Sequence, residues 1–584
     1  MKEYSLRNTI LLYLMVSVSV FIKILLFHWF CFDGLMFSSL WRNPVAFGAF
    51  YLPKISAAMF IGSFVFMFKS NRWIYIVLPI IDIWMLANFI YYRSYGSFLD
   101  IYALSLAGNM KGFWGSVIFY IDWCVLSWIL ITPIVCVIYK KWFSNNKKRQ
   151  IPIGVVALAI SWVVSWSGVE LFRKQCEKQY FVAEELDHWY SSLDPRMRAR
   201  LMTRNVVQTT RQFSILHIVV NDMIDFIERK SNHVMLTDDD ISTIRQFIQH
   251  NQDVSMRFTQ PLIIIIVESL EDWAVDPQIM PNLSEYINKH KTLRVKNITS
   301  QVGGGNSMDG QMILNTGLLP IHEGSVSFLF PENKFPSIAE CKQGEATVIV
   351  PHPVEVWNQM LMSKAFGYDT TISVLPDETL LFDKAIECIN QGYQIIQVIT
   401  MASHAPFTDF EEQFTLRVNE DMPKYLGDYI KALNYTDACM SDLLTELDTA
   451  SYLSDAVLVV TGDHKIFYPK LREEYQAYCD ENQLNYNVSS PYCPLIISSN
   501  TLPESKILSE EVYGQIDIYP TIVSCLGIEH YYNGLGISLL EDVGGGYCHS
   551  IRQRICLTRL YAVITLNDII PNKCYYPSSY PFTM

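Results

Sequence analysis

Long apolar runs dominate the first 170 residues of the 584-residue chain. Five runs are long enough to form a helix that crosses a hydrocarbon core, which takes about 20 residues. They cover residues 8–30, 49–68, 73–92, 114–139 and 151–168. The first run is an anchor rather than a cleaved leader, because it is long and four more spans follow it. The pattern therefore predicts five transmembrane helices within residues 1–168.

Two acidic residues interrupt these apolar runs. Asp82 lies in the third run and Asp122 in the fourth. A carboxylate inside a membrane is costly and often functional. The alternative is that these side chains face the interior of a helix bundle or lie near an interface.

Lysine and arginine residues are concentrated in alternate loops between the predicted spans. The basic residues before the first span and after the second and fourth are Lys2, Arg7, Lys69, Arg72, Lys140, Lys141, Lys147, Lys148 and Arg149. The other loops hold only Arg42, Arg93 and Lys111. Basic residues favour the cytoplasmic side. The N-terminus is therefore predicted to be cytoplasmic, and the chain after residue 170 extracytoplasmic.

The overall charge narrows the classes of partner. The net charge is -13 at pH 7, and a nucleic acid is bound by a basic face. We therefore expect no nucleic acid partner. None of the cysteines outside the spans has the spacing of a zinc finger, and disulfides and free buried thiols are equally compatible with their positions.

Beyond the spans, the pattern changes twice. Residues 169–255 are charged and follow a helical pattern, which predicts a helical connector outside the membrane. Residues 256–545 alternate short apolar runs with helical patterns, which predicts an α/β domain with a mainly parallel central sheet. Residues 546–584 are assigned to a tail that packs on this domain.

Three aliphatic runs in this domain end at polar residues. The run that ends at Val267 is followed by Glu268, the run that ends at Gly462 by Asp463 and His464, and a third leads to His404. Such runs are typical of strands buried on both faces, and sites in open α/β sheets lie beyond the carboxyl ends of the strands. Singly, each residue is more often a helix cap or a structural histidine. Together they predict a site for a divalent cation such as Mn²⁺ or Zn²⁺.

A glycine-rich loop precedes a helical pattern at residues 303–311 and contains Ser307. Glycines permit a tight turn and a close backbone approach to a ligand, and a helix N-terminus binds phosphate oxygens. A metal on the Ser307 oxygen would make it a nucleophile. The alternative is that Ser307 only caps the helix.

These motifs, in this order and after five spans, resemble the lipoteichoic acid synthase family, a branch of the sulfatase and alkaline-phosphatase superfamily. The matching segments are Val267-Glu268-Ser269, Gly305-Asn306-Ser307-Met308-Asp309, Ser403-His404-Ala405-Pro406-Phe407 and Gly462-Asp463-His464. The resemblance implies an alkaline-phosphatase-type fold and covers nearly the whole chain.

The resemblance also implies the roles of individual residues. Glu268, Ser307, Asp463 and His464 would hold one divalent metal ion, with Mn²⁺ as the first choice and Mg²⁺ or Zn²⁺ as alternatives. Ser307 would be the nucleophile. The substrate-binding residues would be His404, Trp357, Gln359 and, by a looser match, His352.

The activity implied is transfer of a phosphoglycerol headgroup from a lipid such as phosphatidylglycerol to a hydroxyl of a glycan, glycolipid or polymer. Three departures from the family are a Ser nucleophile in place of Thr, Gln359 in place of an Arg that holds glycerol phosphate, and Lys465 in place of Gly. The alternatives are a phosphoethanolamine transferase, a phosphodiesterase or sulfatase-like hydrolase, and a non-catalytic sensor. The modified-nucleophile motif of sulfatases is absent from the sequence, which counts against a sulfatase.

Overall fold

The structure is a computed structural model. It describes residues 6–32, 44–68, 70–95, 98–99, 121, 123–143, 150–178, 206–219, 257–321, 325–374, 378–407, 416–467, 469–528 and 536–540. The chain forms two compact units, one of residues 1–104 and 120–232 and the other of residues 105–119 and 233–584. We call them the membrane unit and the catalytic unit. The predicted tail, residues 546–584, lies outside the described residues.

The membrane unit contains five candidate spans. Five helices within the described ranges are long and apolar enough to cross a membrane, which confirms the predicted number, although the fourth covers Trp123–Phe143 and not residues 114–139. They are α1 (Leu6–Cys31), α2 (Pro44–Met67), α3 (Ile74–Tyr95, extended to Asn71 by a 3₁₀ turn), a fourth span of short helices, and α6 (Ile151–Lys178). The fourth span comprises a 3₁₀ turn (Trp123–Val125), α4 (Leu126–Ile129), α5 (Ile131–Ile138) and a π turn (Tyr139–Phe143).

The acidic residue of the third span faces the interior of this bundle. Asp82 is buried and forms an ion pair with Lys23 of α1, and Thr132 of α5 donates to its second carboxylate oxygen. Lys23 Nζ also donates to Thr132 Oγ1 at 2.6 Å. The carboxylate is thus neutralised across three spans. Asp122 lies outside the described residues.

Part of the predicted connector packs on the membrane unit. Residues Val206–Gln212 form a short helix, α7, and residues 215–219 are helical as well. Ile215 and Ile218 are buried in the same apolar core as the spans. Phe213 packs on Phe172 of α6 with ring centroids 5.5 Å apart. The buried residues Phe213, Ile215 and Ile218 therefore attach this part of the chain to the bundle, and the helical connector over residues 169–255 stays a prediction.

The catalytic unit is built around one sheet. The nine strands in the described ranges follow the order β4-β3-β5-β1-β6-β7-β2-β8, and β9 pairs with β2. Strands β1, β3, β4, β5 and β6 are parallel, whereas β7 runs antiparallel to β6 and β2. The strands are β1 (Leu262–Val267), β2 (Thr292–Thr299), β3 (Ala346–Val350), β4 (Thr370–Ser373), β5 (Ile395–Ile399), β6 (Val457–Gly462), β7 (Tyr492–Ser498), β8 (Lys506–Leu508) and β9 (Tyr513–Gly514).

Helices alternate with these strands, so the mainly parallel α/β sheet is confirmed. They are α8 (Pro281–Lys289), α9 (Asn306–Thr316), α10 (Val326–Leu329), α11 (Gln359–Ala365), α12 (Glu378–Asn390), α13 (Lys424–Cys439), α14 (Ser441–Thr449), α15 (Pro469–Glu481) and α16 (Ile518–Cys525). All six residues of β1 are buried, as expected for a strand covered on both faces.

The three strands that carry polar residues at their ends are neighbours. In the sheet, β1 lies between β5 and β6, and all three are parallel. Val267 at the end of β1 pairs in register with Gly462 at the end of β6. Their carboxyl ends therefore meet at one edge of the sheet, where the sequence pattern predicts a site.

Candidate functional site

The acidic ligands predicted from the sequence lie side by side. Glu268 follows β1 directly and Asp463 follows β6 directly, with His464 next to it. One potential ligand atom from each of these three side chains lies within 4.8 Å of the others. Glu268 and Asp463 are almost fully buried. A pair of adjacent carboxylates with an imidazole matches the donor set of a divalent cation.

The electrostatics of this cluster agree with a cation site. Burial raises the pKa of Asp463, and the Glu268 carboxylate raises it further. Burial lowers the pKa of His464, but the carboxylates of Asp463 and Glu268 more than reverse this effect. Asp463 Oδ2 is buried without a hydrogen-bond partner among the described residues. A buried acceptor without a donor is rare, and a divalent cation would satisfy it.

Ser307 faces the same cluster. Its Oγ lies 3.2 Å from Glu268 Oε2 and 3.4 Å from His464 Nε2. Helix α9 begins at Asn306, and Gly305 is the residue that caps it, so Ser307 lies in the first turn. The capping role considered as the alternative for Ser307 is thus taken by Gly305.

The glycine-rich loop is held by an acid of its own helix. Asp309 accepts hydrogen bonds from the backbone N–H groups of Gly303 and Gly305 at 2.8 and 2.9 Å. A Cβ at position 305 would lie 2.1 Å from Asp309 Oδ1, so the close approach requires glycine. Burial raises the pKa of Asp309 to about 7, and the two backbone donors lower it in part. The loop geometry presents Ser307 to the ligand cluster.

Ser269 connects the two acidic loops, and the sequence reasoning assigned it no role. Its backbone has a φ of 54°, which is uncommon for a residue with a side chain. Its N–H donates to Asp463 Oδ1 at 2.7 Å, and its hydroxyl donates to Glu268 Oε1 at 2.8 Å. It therefore fixes both carboxylates. In the sequence, only its position directly after Glu268 indicates that it belongs to the site.

A second connection involves a buried ion pair. Glu271 is fully buried and accepts from both terminal nitrogens of Arg472, one of them at 2.9 Å. It also accepts from Trp273 Nε1 at 2.8 Å and from the Ile466 N–H at 3.0 Å. Because Ile466 follows the Asp463-His464 pair, this bond joins the loop after β1 to the loop after β6. The sequence carries no local signal for it.

The predicted substrate-binding histidines lie near each other. His404 lies in the turn after β5, and its Nδ1 is 2.7 Å from the Ala405 carbonyl oxygen. Burial lowers the pKa of His352, and the nearby His404 lowers it further. Trp357 has a φ of 56°, and its ring packs 6.0 Å from the Phe328 ring. The contact of these residues with a substrate stays a prediction.

Gln359 is placed differently from the other predicted substrate-binding residues. It is 0% exposed. Its amide forms two hydrogen bonds with the Gln311 amide, at 2.9 and 3.1 Å, and a third with Ser363 Oγ at 3.2 Å. Its polar atoms therefore face the interior of the unit. Direct binding of substrate by Gln359 stays a prediction.

Comparisons with known families cover both units. The lipoteichoic acid synthase N-terminal domain matches residues 1–191, and the sulfatase domain matches residues 261–528. The chain is 20% identical over 497 residues to a lipoteichoic acid synthase of Staphylococcus aureus, an alignment covering 76% of this chain and 70% of that protein.

Two solved structures are similar to part of the chain. The lipoteichoic acid synthase LtaP from Listeria monocytogenes is 20% identical, with a TM-score of 0.44, and the match covers 52% of this chain and 82% of that one. The Streptococcus pyogenes phosphoglycerol transferase GacH, in complex with sn-glycerol-1-phosphate, is 18% identical, with a TM-score of 0.35, over 48% and 77% of the two chains.

Proposed function

Because the chain belongs to the sulfatase superfamily and carries the N-terminal domain of lipoteichoic acid synthases, we propose that it is a membrane-anchored transferase of phospholipid headgroups. It moves a phosphoglycerol-type headgroup from a donor such as phosphatidylglycerol to a hydroxyl of a glycan, glycolipid or polymer. The observation that carries this proposal is the position of Ser307 Oγ, within 3.4 Å of both Glu268 and His464.

The site residues have distinct roles in this proposal. Glu268, Ser307, Asp463 and His464 hold one divalent cation, for which Mn²⁺ is the first choice and Mg²⁺ or Zn²⁺ are alternatives. When bound, the cation supplies Lewis-acid chemistry that lowers the pKa of a coordinated hydroxyl and offsets charge on a phosphoryl oxygen. The hydrogen bonds from Ser269 to Glu268 and Asp463 orient these carboxylates.

The reaction has two displacement steps at phosphorus. In the first, Ser307 Oγ loses its proton and forms a bond to phosphorus, the bond from phosphorus to the diacylglycerol oxygen breaks, and that oxygen takes up a proton as diacylglycerol leaves. In the second, the acceptor hydroxyl loses its proton and attacks the same phosphorus, and the Ser307 oxygen leaves and takes up a proton. His404 binds the phosphate or protonates a leaving oxygen. Trp357 and His352 contact the headgroup.

The membrane unit suits a lipid donor, because a tethered domain meets its substrate at the bilayer surface. In this proposal, the N-terminus is cytoplasmic and the catalytic unit extracytoplasmic, as the distribution of basic residues predicts. Labelling of single introduced cysteines with an impermeant reagent measures this orientation. Protection of the catalytic unit in intact cells would contradict it.

The decisive experiment measures the covalent intermediate. The full chain, purified in detergent with Mn²⁺, is incubated with mixed bacterial phospholipids, and the mass of the peptide that contains Ser307 is determined. The matched variants are Ser307→Ala, which should form no adduct, and Ser489→Ala, an exposed site that should behave like the unsubstituted chain.

Three outcomes separate the possible functions. A glycerol-phosphate adduct on Ser307, with release of diacylglycerol, supports a phosphoglycerol transferase. A phosphoethanolamine adduct keeps the mechanism and changes the headgroup. If neither adduct nor diacylglycerol is formed while metal is bound, the phospholipid donor is wrong and a hydrolase of other phosphodiesters takes its place.

A further inference from the structure

A buried lysine in the membrane unit has carbonyl oxygens, and no carboxylate, as its hydrogen-bond partners among the described residues. Lys54 of α2 is 0% exposed, and its Nζ donates to the carbonyl oxygens of Phe50, Arg211 and Gln212 at 3.2, 3.1 and 3.1 Å. It also lies 3.6 Å from the centroid of the Phe50 ring. Within the described ranges, no carboxylate is bonded to it. Carbonyl dipoles solvate the ammonium group, but they leave its net charge uncompensated.

The other lysine inside the bundle shows the contrast. Lys23 is equally buried but pairs directly with the Asp82 carboxylate. A buried charge is normally paired in this way, because desolvation of an unpaired ion costs several kcal/mol. Within the described residues, Lys54 is thus held by carbonyl oxygens, whereas Lys23 is held by a carboxylate.

Two further polar groups lie beside Lys54. The His28 ring packs against the rings of Phe50 and Phe32, each at 4.8 Å between centroids, and its Nδ1 is buried without a hydrogen-bond partner among the described residues. Arg211 is exposed, and its guanidinium lies 5.9 Å from the Phe32 ring centroid. We call His28, Lys54 and Arg211 the basic cluster.

Two members of the basic cluster lie at one end of the bundle, and Lys54, the eleventh residue of the 24-residue helix α2, directs its ammonium group toward them through the Phe50 and Arg211 carbonyl oxygens. His28 is in the last turn of α1, which ends at Cys31, and α7 brings Arg211 to the same end. The Gln212 amide fixes α7 there by donating to the Ala49 carbonyl oxygen at 3.0 Å. Because α1 has 26 residues and about 20 are enough to cross the hydrocarbon core, we expect its last turn to lie near the lipid headgroups.

We propose that the basic cluster binds the phosphate of an anionic phospholipid. Arg211, which is exposed, contacts the phosphate oxygens, and the buried His28 ring lies behind it, packed between Phe50 and Phe32. Lys54 does not contact the phosphate, since its three protons are already donated to carbonyl groups, and it contributes only its positive charge. The site binds lipid independently of catalysis, and only the identification of this lipid with the donor rests on the proposed function.

The test measures lipid binding to the full chain without turnover. The Ser307→Ala chain in detergent is titrated with phosphatidylglycerol or phosphatidylcholine of the same acyl chains, and bound lipid is counted by native mass spectrometry. Phosphatidylglycerol should bind more tightly than phosphatidylcholine. Arg211→Gln should weaken its binding about five-fold, the effect of one basic residue near a membrane surface.

Two further variants make the result specific. Lys54→Gln removes the charge but keeps amide donors, and it should also weaken the binding of phosphatidylglycerol. Arg72→Gln is the matched control, because Arg72 is exposed and follows the C-terminal end of α2, whereas Phe50 lies near the other end. This variant should bind phosphatidylglycerol like the parent chain. If Lys54→Gln unfolds, Arg211→Gln still decides the question, because Arg211 is exposed.

Several results would overturn the proposal. Equal binding of phosphatidylglycerol and phosphatidylcholine would do so, as would equal effects of Arg211→Gln and Arg72→Gln. Displacement of the lipid by millimolar inorganic phosphate would reassign the cluster to a free anion. If the unsubstituted chain, which keeps Ser307, transfers no headgroup while phosphatidylglycerol still binds to the basic cluster, the proposed function is wrong and the lipid site remains.

Discussion

Gly462 provides a direct test of how closely the two acidic loops must approach. It ends β6 immediately before Asp463, and a Cβ built on it lies 2.2 Å from the Leu270 carbonyl oxygen and 3.0 Å from the Leu270 carbonyl carbon. Carbon and oxygen atoms that are not bonded to each other usually stay about 3.3 Å apart or more. Gly462→Ala must therefore displace one backbone from the other by about 1 Å.

This displacement acts on the ligand cluster. Leu270 follows Glu268 by two residues, so movement of its backbone changes the distance between Glu268 and Asp463. Metal–ligand distances vary by only about 0.2 Å. We expect Gly462→Ala to lower Mn²⁺ affinity about 10- to 100-fold, as loss of supporting contacts around a metal site does. The clash should also lower the free energy of unfolding by about 1–3 kcal/mol.

Calorimetric titration with Mn²⁺ measures the affinity, and denaturant unfolding without metal measures the stability. Gly427→Ala is the matched control, because a Cβ there meets its nearest atoms at 3.5 Å. It lies inside α13, where alanine is favoured over glycine by about 1 kcal/mol. The reasoning is refuted if Gly462→Ala binds Mn²⁺ with parental affinity and unfolds like Gly427→Ala.

Three further predictions concern buried charges. Glu271→Gln should lower the free energy of unfolding in denaturant by about 3–5 kcal/mol, because it breaks the buried ion pair with Arg472. The control Glu387→Gln breaks an exposed ion pair with Lys384 and should change the free energy of unfolding little. Equal losses in the two variants would contradict this prediction. Burial raises the pKa of Asp437 from 3.8 to about 6. Between these two pH values, the folded chain holds a proton that the unfolded chain has released, so the stability falls as the pH rises from 3.8 to about 6. Asp437→Asn should remove that slope from thermal unfolding profiles, and parallel profiles would argue against it. Lys23→Met alone should destabilise the bundle more than Lys23→Met combined with Asp82→Leu, because the single change leaves the Asp82 carboxylate unpaired. A double variant whose melting temperature in detergent is no higher than that of the single variant would disprove this.

The sequence predicts the features that depend on local pattern. Five apolar runs are sufficient to indicate the spans, because the length of a helix across a membrane is fixed by the bilayer. The aliphatic run before Glu268 indicates a buried strand, and parallel strands present their carboxyl ends at one edge. The convergence of Glu268, Asp463 and His464 follows from these two rules together with the order β5-β1-β6.

Features that depend on contacts between distant residues could not be predicted in this way. Lys23 and Asp82 are separated by 59 positions, and no periodicity relates them. Ile215 and Ile218 lie in a short apolar stretch, residues 213–220, far along the chain from the spans, and nothing local indicates that it packs against them. The backbone of Ser269 adopts positive φ because two carboxylates require its N–H and hydroxyl at the same time.

The surroundings of Gln359 bear on the headgroup that the enzyme selects. Gln311 pairs with Gln359 and also accepts from Gln397 Nε2 at 3.3 Å, and Tyr368 donates to Gln397 Oε1 at 3.1 Å. All these side chains are buried and neutral. An arginine at position 359 would place a charge among amides that cannot neutralise it. The packing of the interior is therefore matched to glutamine, so the cation that the family resemblance expects there is replaced by a neutral network. Whether Gln359 contacts the headgroup is tested by Gln359→Arg, and the mass of the Ser307 adduct identifies the headgroup independently of that network.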